Sequence, residues 1–471
     1  NCGFTIAPCR AQHRDLTMRN LVRVEGMSLD AMRAGIVWDF ETIPEYLDML
    51  DSRGVGLNVA AFAGHSSVRT YAMGDDAPER AANAREVEQM AAIVRDAMRA
   101  GTVGFSTSTS PSHNGANGGP MPSRLADETE IRALVGAMGE AGRGVFMLTK
   151  GAETSVPFLE SLAADTGRPI MVAALLHNST QPDAVFENLR QITQAQARGH
   201  ELYGQVSCCP LSVEFTLKAP YPFEGLASWA PAMKAPESGF RALLADRGFR
   251  ENIKRELETP VAVRLFNGEW QKLAVVQAVH EHNRHLEGTA LGEIARREGR
   301  HPLDSMLDLA LAEDLDTVFT ATLLNSDEDA VARLLKHPHS AIALSDAGAH
   351  LTFFCDAGFG LRLLGHWVRE RELMSLEAAI AELTSMPAAI YGIKDRGVLK
   401  PGAHADLFLF DPSTVDRSPA RRVFDLPAGA PRLVTDPIGV HGVWVNGVRL
   451  ADENGYCVDR ERPGSLLRNF A

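Results

Sequence analysis

The sequence is short of several things, and each shortage narrows the reading. No apolar run approaches the roughly 18 residues of a membrane span. Cysteine is scarce, six in 471 residues, which excludes a disulfide scaffold and makes a reducing, cytoplasmic setting the default. Positive charge is in deficit: 47 Lys and Arg against 60 Asp and Glu leave a net charge of -13, so neither nucleic acid nor an anionic membrane is an expected partner. Internal repeats and low-complexity tracts are missing. No signal-peptide pattern is present, and the chain opens on Asn1 and not on an initiator Met. Asn1-Cys-Gly-Phe-Thr-Ile-Ala-Pro reads as a strand end plus loop, so a further portion upstream of Asn1 is expected.

What remains is an ordinary globular composition, 45% hydrophobic and 23% charged, long enough for a large core. Strand and helix patterns alternate. Strands are expected over 54–63, 102–106, 144–149, 169–176, 201–207 and 340–345. Helices are expected over 86–99, 127–141, 156–165 and 184–198; in the first, Val87, Met90, Ala91, Val94 and Met98 share one face. Such alternation means βα units around a parallel sheet. With Asn1-Cys2 ending a second strand, the count reaches strands two to eight of a closed (β/α)8 barrel of the TIM type, its first strand preceding Asn1. The barrel is expected over 1–394. Between about 210 and 284 the alternation lapses into a Pro- and aromatic-rich excursion, read as a pocket-covering insertion or a packed subdomain. From 395 to 471 a small β-sandwich domain is expected, marked by Lys400-Pro-Gly and by an Asn446-Gly447 hairpin signal.

The stretch with most chemistry is Ala341-Ile-Ala-Leu-Ser-Asp-Ala-Gly-Ala-His350. An apolar run stops at a carboxylate, then small residues, then a histidine. At the C-terminal end of a barrel strand, where active sites lie, such an Asp binds a metal or takes a proton from water. The plainer alternative is a strand followed by a capping Asp and a Gly turn.

Asn1-Cys-Gly-Phe, Gly64-His-Ser-Ser-Val-Arg69, Gly104-Phe-Ser-Thr107, Pro122-Ser-Arg-Leu125, Ser345-Asp-Ala-Gly-Ala-His350 and the tail 397–411 with Val445-Asn-Gly447 together resemble the amidohydrolase superfamily. Within it they resemble the N-acyl-D-amino-acid deacylase (D-aminoacylase) group. The resemblance implies a TIM-type barrel beside a β-sandwich, one or two divalent metal ions, usually zinc, and hydrolysis of non-peptide carbon–nitrogen bonds in linear amides. It implies that Cys2 is a zinc ligand and that Asp346 is the general base and a metal neighbour. His177, at the end of the sixth strand, is the candidate for that strand's metal histidine. The fifth strand departs from the pattern: Thr149-Lys150 stands where a His is usual. Lys150 is left as a carboxylated metal bridge, a contact for a substrate carboxylate, or a solvent-facing side chain.

His65 lines the pocket or serves the loops, and Arg69 pairs with a carboxylate or lies at the surface. Ser123, Arg124 and His113, in and after a Gly-rich loop, are further substrate-contact candidates, as is His350. His280, His282 and His285 invite a metal reading, yet their spacing lacks His-Glu-x-x-His and they are read as structural. The expected activity is deacylation of an N-acyl amino acid, a small-molecule amide. The alternatives are a cyclic amide or ester hydrolase on the same frame, or a metal-free scaffold protein.

Overall fold

The computed structural model describes residues 2–116, 118–261, 264–457 and 462–471. Six strands form one parallel sheet: β1 (Phe62–Gly64), β2 (Gly104–Ser108), β3 (Val145–Thr149), β4 (Ile170–Ala173), β5 (Leu202–Val206) and a last strand Ser340–Ile342, bonded in that order. Every pairing is parallel, and helices such as Ala84–Ala100, Glu128–Gly139, Val156–Thr166 and Ala184–Ala197 fill the crossovers. This is the TIM-like barrel arrangement that the alternation predicts.

The strands read as continuous apolar runs because both of their faces are covered. Phe146, Leu148, Ile170 and Val172 face the helices, in one cluster with Leu134, Leu159 and Leu189. Val145, Met147, Met171, Ala173 and Ala341 form a second cluster on the inner face. Each fully buried Leu or Phe contributes roughly 1.5–3 kcal/mol. The outer helices start on side-chain caps: Asn83 accepts from Glu86 N, and Ser155 accepts from Phe158 N.

Several boundaries differ from the sequence reading. The strand expected over 54–63 pairs only at Phe62–Gly64, because Val55 and Val59 bridge instead to Gly464 and Leu466. The sixth-strand region stops pairing at Ala173, four residues before His177. The last strand ends at Ile342, so residues 343–350 form a loop. Asn1 lies outside the described residues, and Cys2 is in no strand. Gly3 packs over β2 instead, where an added Cβ would stand 2.4 Å from Ser106 O.

Strands Leu211–Phe215, Leu273–Gln277 and Val318–Leu324 make a separate antiparallel sheet. It has its own core, which includes Phe223, Trp229 and Phe319. The C-terminal part is an antiparallel β unit: Leu407–Phe410, Val440–Val445, Val448–Asp452 and Gly455–Tyr456. Asn446 and Gly447 turn its hairpin with φ of 50° and 84°, the left-handed pair that Asn-Gly supplies. Among the described residues no helix is long and apolar enough to cross a membrane.

Candidate active site

A cavity of about 210 Å³ opens at the C-terminal ends of the strands. Strand parity decides what enters it. Val145 and Met147 face the barrel interior, so Thr149 does too, and Thr149 pairs with Ser108 on one side and Ala173 on the other. Thr149 and Ala173 line the cavity, and Gln205 does so from β5. The rim that three adjacent strands present is therefore Ser108, Thr149 and Ala173, small side chains without a strong metal donor.

Asp346 reaches the cavity from the loop after the last strand. That loop is wound tightly: Leu344, Asp346 and His350 have φ of 71°, 43° and 55°. A non-glycine residue in this region costs on the order of 1–3 kcal/mol, and such costs gather at functional sites. Opposite stands Cys2, whose Sγ accepts from Thr149 Oγ1 at 3.2 Å. Burial, with the negative charges of Glu25 and Asp346, pushes its thiol up to about 12.

His350 is 7% exposed and lines the same cavity. Its Nε2 lies 3.4 Å from Glu25 Oε2, while its Nδ1, among the described residues, has no partner. Phe354 stacks on the ring with centroids 4.8 Å apart. Burial raises the Glu25 carboxyl above its usual value, and the imidazole beside it opposes that rise. Tyr221, half-buried and stacked on Phe353 at 4.9 Å, lines the cavity from the insertion. Burial and the nearby acidic groups push its phenol well up. Lys150 extends along the wall, where Nζ donates to Gly151 O at 3.2 Å and burial lowers its ammonium from the usual value. His113 also lines the site, with Nδ1 2.6 Å from Ser108 Oγ, and burial holds it near 3, hence neutral.

The structure thus brings Cys2, Asp346, Lys150, His350 and His113 together. It does not bring the other candidates. The backbone of His177 is clamped by Asn325, whose Oδ1 accepts from His177 N at 2.7 Å and whose N donates to His177 O at 2.8 Å. Its ring turns to Phe186 on the outer helix, 6.3 Å between centroids, and is absent from the cavity wall.

His65 and Arg69 belong to a buried network behind β2. His65 contacts Thr107 Oγ1 at 2.7 Å and Glu130 Oε1 at 2.8 Å. Arg69 donates to the other oxygen of Glu130 and to the carbonyl of Arg80. Ser123 is buried, donating to Ser108 O at 2.9 Å. Arg124 pins the Gly-rich loop by donating to Asn114 Oδ1 at 2.6 Å. His280, His282 and His285 are exposed, far along the insertion. Glu25 escaped the sequence reading, since it sits in a stretch without motif, and Tyr221 was legible only as one aromatic of the pocket-covering excursion; the fold sets both beside Asp346.

A catalytic zinc takes three protein ligands and leaves one position open. Among the described residues no group of three or more His, Cys, Asp or Glu is arranged to hold a metal. Cys2 and Asp346 are two donors of the right chemistry, and the Ser, Thr and Ala rim adds none. The described residues by themselves do not fit a zinc site.

Comparison with known proteins places this geometry. The sequence pattern of the Amidohydrolase family matches residues 17–451. N-acyl-D-glutamate deacylase of Alcaligenes xylosoxydans xylosoxydans is 27% identical over 92% of this chain and 74% of its own. An uncharacterized protein of Mycobacterium tuberculosis is 27% identical over 83% of this chain and 66% of its own, so the chain spans about two thirds of that relative. The crystal structure of N-acyl-D-glutamate deacylase from Bordetella bronchiseptica, complexed with zinc and a phosphonate inhibitor, superposes with a TM-score of 0.64 at 25% identity, over 100% of this chain and 81% of that one.

Proposed function

Because the chain belongs to the amidohydrolase family, we propose that it hydrolyses the carbon–nitrogen bond of a linear amide, the substrate being an N-acylated amino acid of D configuration. The observation that carries this reading is the place of Asp346. Its carboxylate lines a cavity at the mouth of the parallel strands, opposite Cys2 and within one wall of Lys150. Asp346 takes a proton from the attacking water and returns it to the leaving nitrogen. Lys150 binds the substrate carboxylate, an ammonium on a buried wall being suited to that charge. His350, held by Glu25, offers its unpartnered Nδ1 to the polar atoms of the substrate. The D configuration is supported by the N-acyl-D-glutamate deacylases of Alcaligenes and Bordetella. The cyclic-amide and scaffold alternatives are not favoured, since the deacylase matches run over most of the chain.

One or two divalent ions, zinc first, are the proposed cofactor on the strength of the zinc-bound Bordetella relative. Cys2 and Asp346 are the donors that the described residues bring to it. Two donors do not complete a site, and the proton steps above rest on the protein's own groups. The proposed division of labour keeps the hydrolase barrel in 1–394, with the insertion at about 210–284 over the site, and the small β domain in 395–471.

The test is a panel of N-acetyl-D- and N-acetyl-L-amino acids offered to the full-length protein, with amine release as the readout and metal content measured on the same sample. Release from D substrates alone supports the reading. Release from L substrates alone, or from none of the panel with metal bound, contradicts it.

A further inference from the structure

The cavity has two unlike halves. Near the strand ends it is polar, with Asp346, Lys150 and Gln205. Farther out it runs between the chain after β4, the start of the helix Ala184–Ala197, the insertion and the end of the strand Val318–Leu324, where Leu175, Leu176, Val185, Leu211, Leu265 and Leu324 line it beside the neutral polar side chains of Asn178, Gln181 and Asn188. These side chains come from five separated parts of the sequence, and none brings a charge.

Each basic side chain on the wall has a determinable commitment. The guanidinium of Arg264 donates to Glu256 O at 3.3 Å and Thr259 O at 3.1 Å and lies 3.4 Å from Glu256 Oε1. It fastens the insertion to itself. The imidazole of His350 faces Glu25 at 3.4 Å, and His113 is neutral in its buried contact with Ser108. Among the described wall residues that carry a positive charge, Lys150 has no carboxylate within ion-pair distance; its ammonium meets only the carbonyl of Gly151. The wall also carries two carboxylates, Asp346 and Asp356, and Arg417 already pairs with Asp356 at 2.9 Å.

An N-acyl amino acid always has one carboxylate, and Lys150 matches it. An acidic side chain brings a second, which would lie among leucines or beside Asp346, where the nearby cation, Arg264, is already taken by Glu256 and two carbonyls. A buried ion without a partner is penalised by several kcal/mol, whereas an aliphatic group on the same surface gains about 25 cal/mol per Å² buried. We propose that this site selects N-acyl amino acids with a neutral, aliphatic side chain and rejects those with a side-chain carboxylate, although glutamate deacylases are among its relatives. The proposal rests on the deacylase reading given above.

The experiment compares N-acetyl-D-leucine with N-acetyl-D-glutamate on the full-length protein, by steady-state hydrolysis and by the thermal shift that each compound causes. The expected result is a kcat/KM for the leucine compound at least ~100-fold higher, and a thermal shift from it alone. Two variants, Leu265→Lys and Leu211→Lys, each place a cation in the apolar half from a different element, so one misfolded variant does not end the test. In the folded variant the ratio should move at least ~10-fold toward glutamate. Equal or reversed preference in the unmodified protein overturns the selectivity while leaving deacylation standing. Neither hydrolysis nor a thermal shift with either compound overturns the deacylase reading, and this proposal with it.

Discussion

The Nε2 of His350 stands 3.4 Å from a carboxylate oxygen of Glu25, although 325 positions separate the two residues in the chain. The backbone is tied at the same place, since His350 N donates to Glu25 O. One helix end and one strand-end loop are thereby locked together beside Asp346. Replacing Glu25 by Gln keeps the shape and removes the charge. The expected outcome is a folded protein with kcat reduced about 10-fold or more, and with the histidine side chain more mobile by NMR. The larger change Glu25→Ala leaves the imidazole without its polar partner and should cost about 1–3 kcal/mol of stability in urea unfolding.

Lys150 supplies the second prediction. If it meets the substrate carboxylate, Lys150→Met removes a charged hydrogen bond of about 1.5–3 kcal/mol. KM should rise on the order of 10–100-fold, with a smaller change in kcat. A fall confined to kcat would detach Lys150 from substrate binding.

His65, Arg69 and Glu130 should behave oppositely. Their side chains are 0–2% exposed and bonded to one another. Glu130→Ala leaves a guanidinium and an imidazole buried without their acceptor, for about 3–5 kcal/mol. The expected signature is a large fall in Tm, with kcat/KM per folded molecule nearly unchanged.

How much of this was readable beforehand varies by residue for physical reasons. An apolar run followed by Asp346 pointed to the strand-end region, although the strand stops at Ile342 and a loop carries Asp346 to the cavity. At Thr149-Lys150 the sequence showed that the usual His is missing but left the place of Lys150 open; both residues line the cavity because Lys150 follows the last strand residue, where alternation no longer applies. The extent of the first observed strand was not legible: Val55 and Val59 have the right composition, but their pairing partners are Gly464 and Leu466. His177 lies beyond the last paired residue of its strand, where parity no longer holds, and Asn325 decides which way it faces. His65 and Arg69 look like pocket residues until Glu130, on another helix, is set behind them. Glu25 carried no local signal, and Tyr221 only that of the aromatic-rich excursion around it.

A pH effect follows from Glu224. It is 5% exposed, and burial raises its carboxyl from 4.5 to about 7 even though Arg23 lies 3.1 Å away. Geometry alone would keep the pair ionised at neutral pH; burial being nearly complete, the raised direction is the one expected. The native state then holds this proton where the unfolded chain has lost it. Stability from this group is full below pH 4.5 and is lost as pH rises to about 7, at no more than about 1.4 kcal/mol per pH unit. Urea unfolding between pH 5 and 8 measures the slope, and Glu224→Gln should flatten it.

The most direct measurement of the central claim is turnover by Asp346→Asn in the full-length protein on the best D substrate of the panel. Asn keeps the size and the left-handed backbone while it removes the proton acceptor. The account predicts an unchanged circular dichroism spectrum and a kcat lower by about 10²–10⁴-fold. A folded Asp346→Asn protein that retains most of its turnover would contradict it.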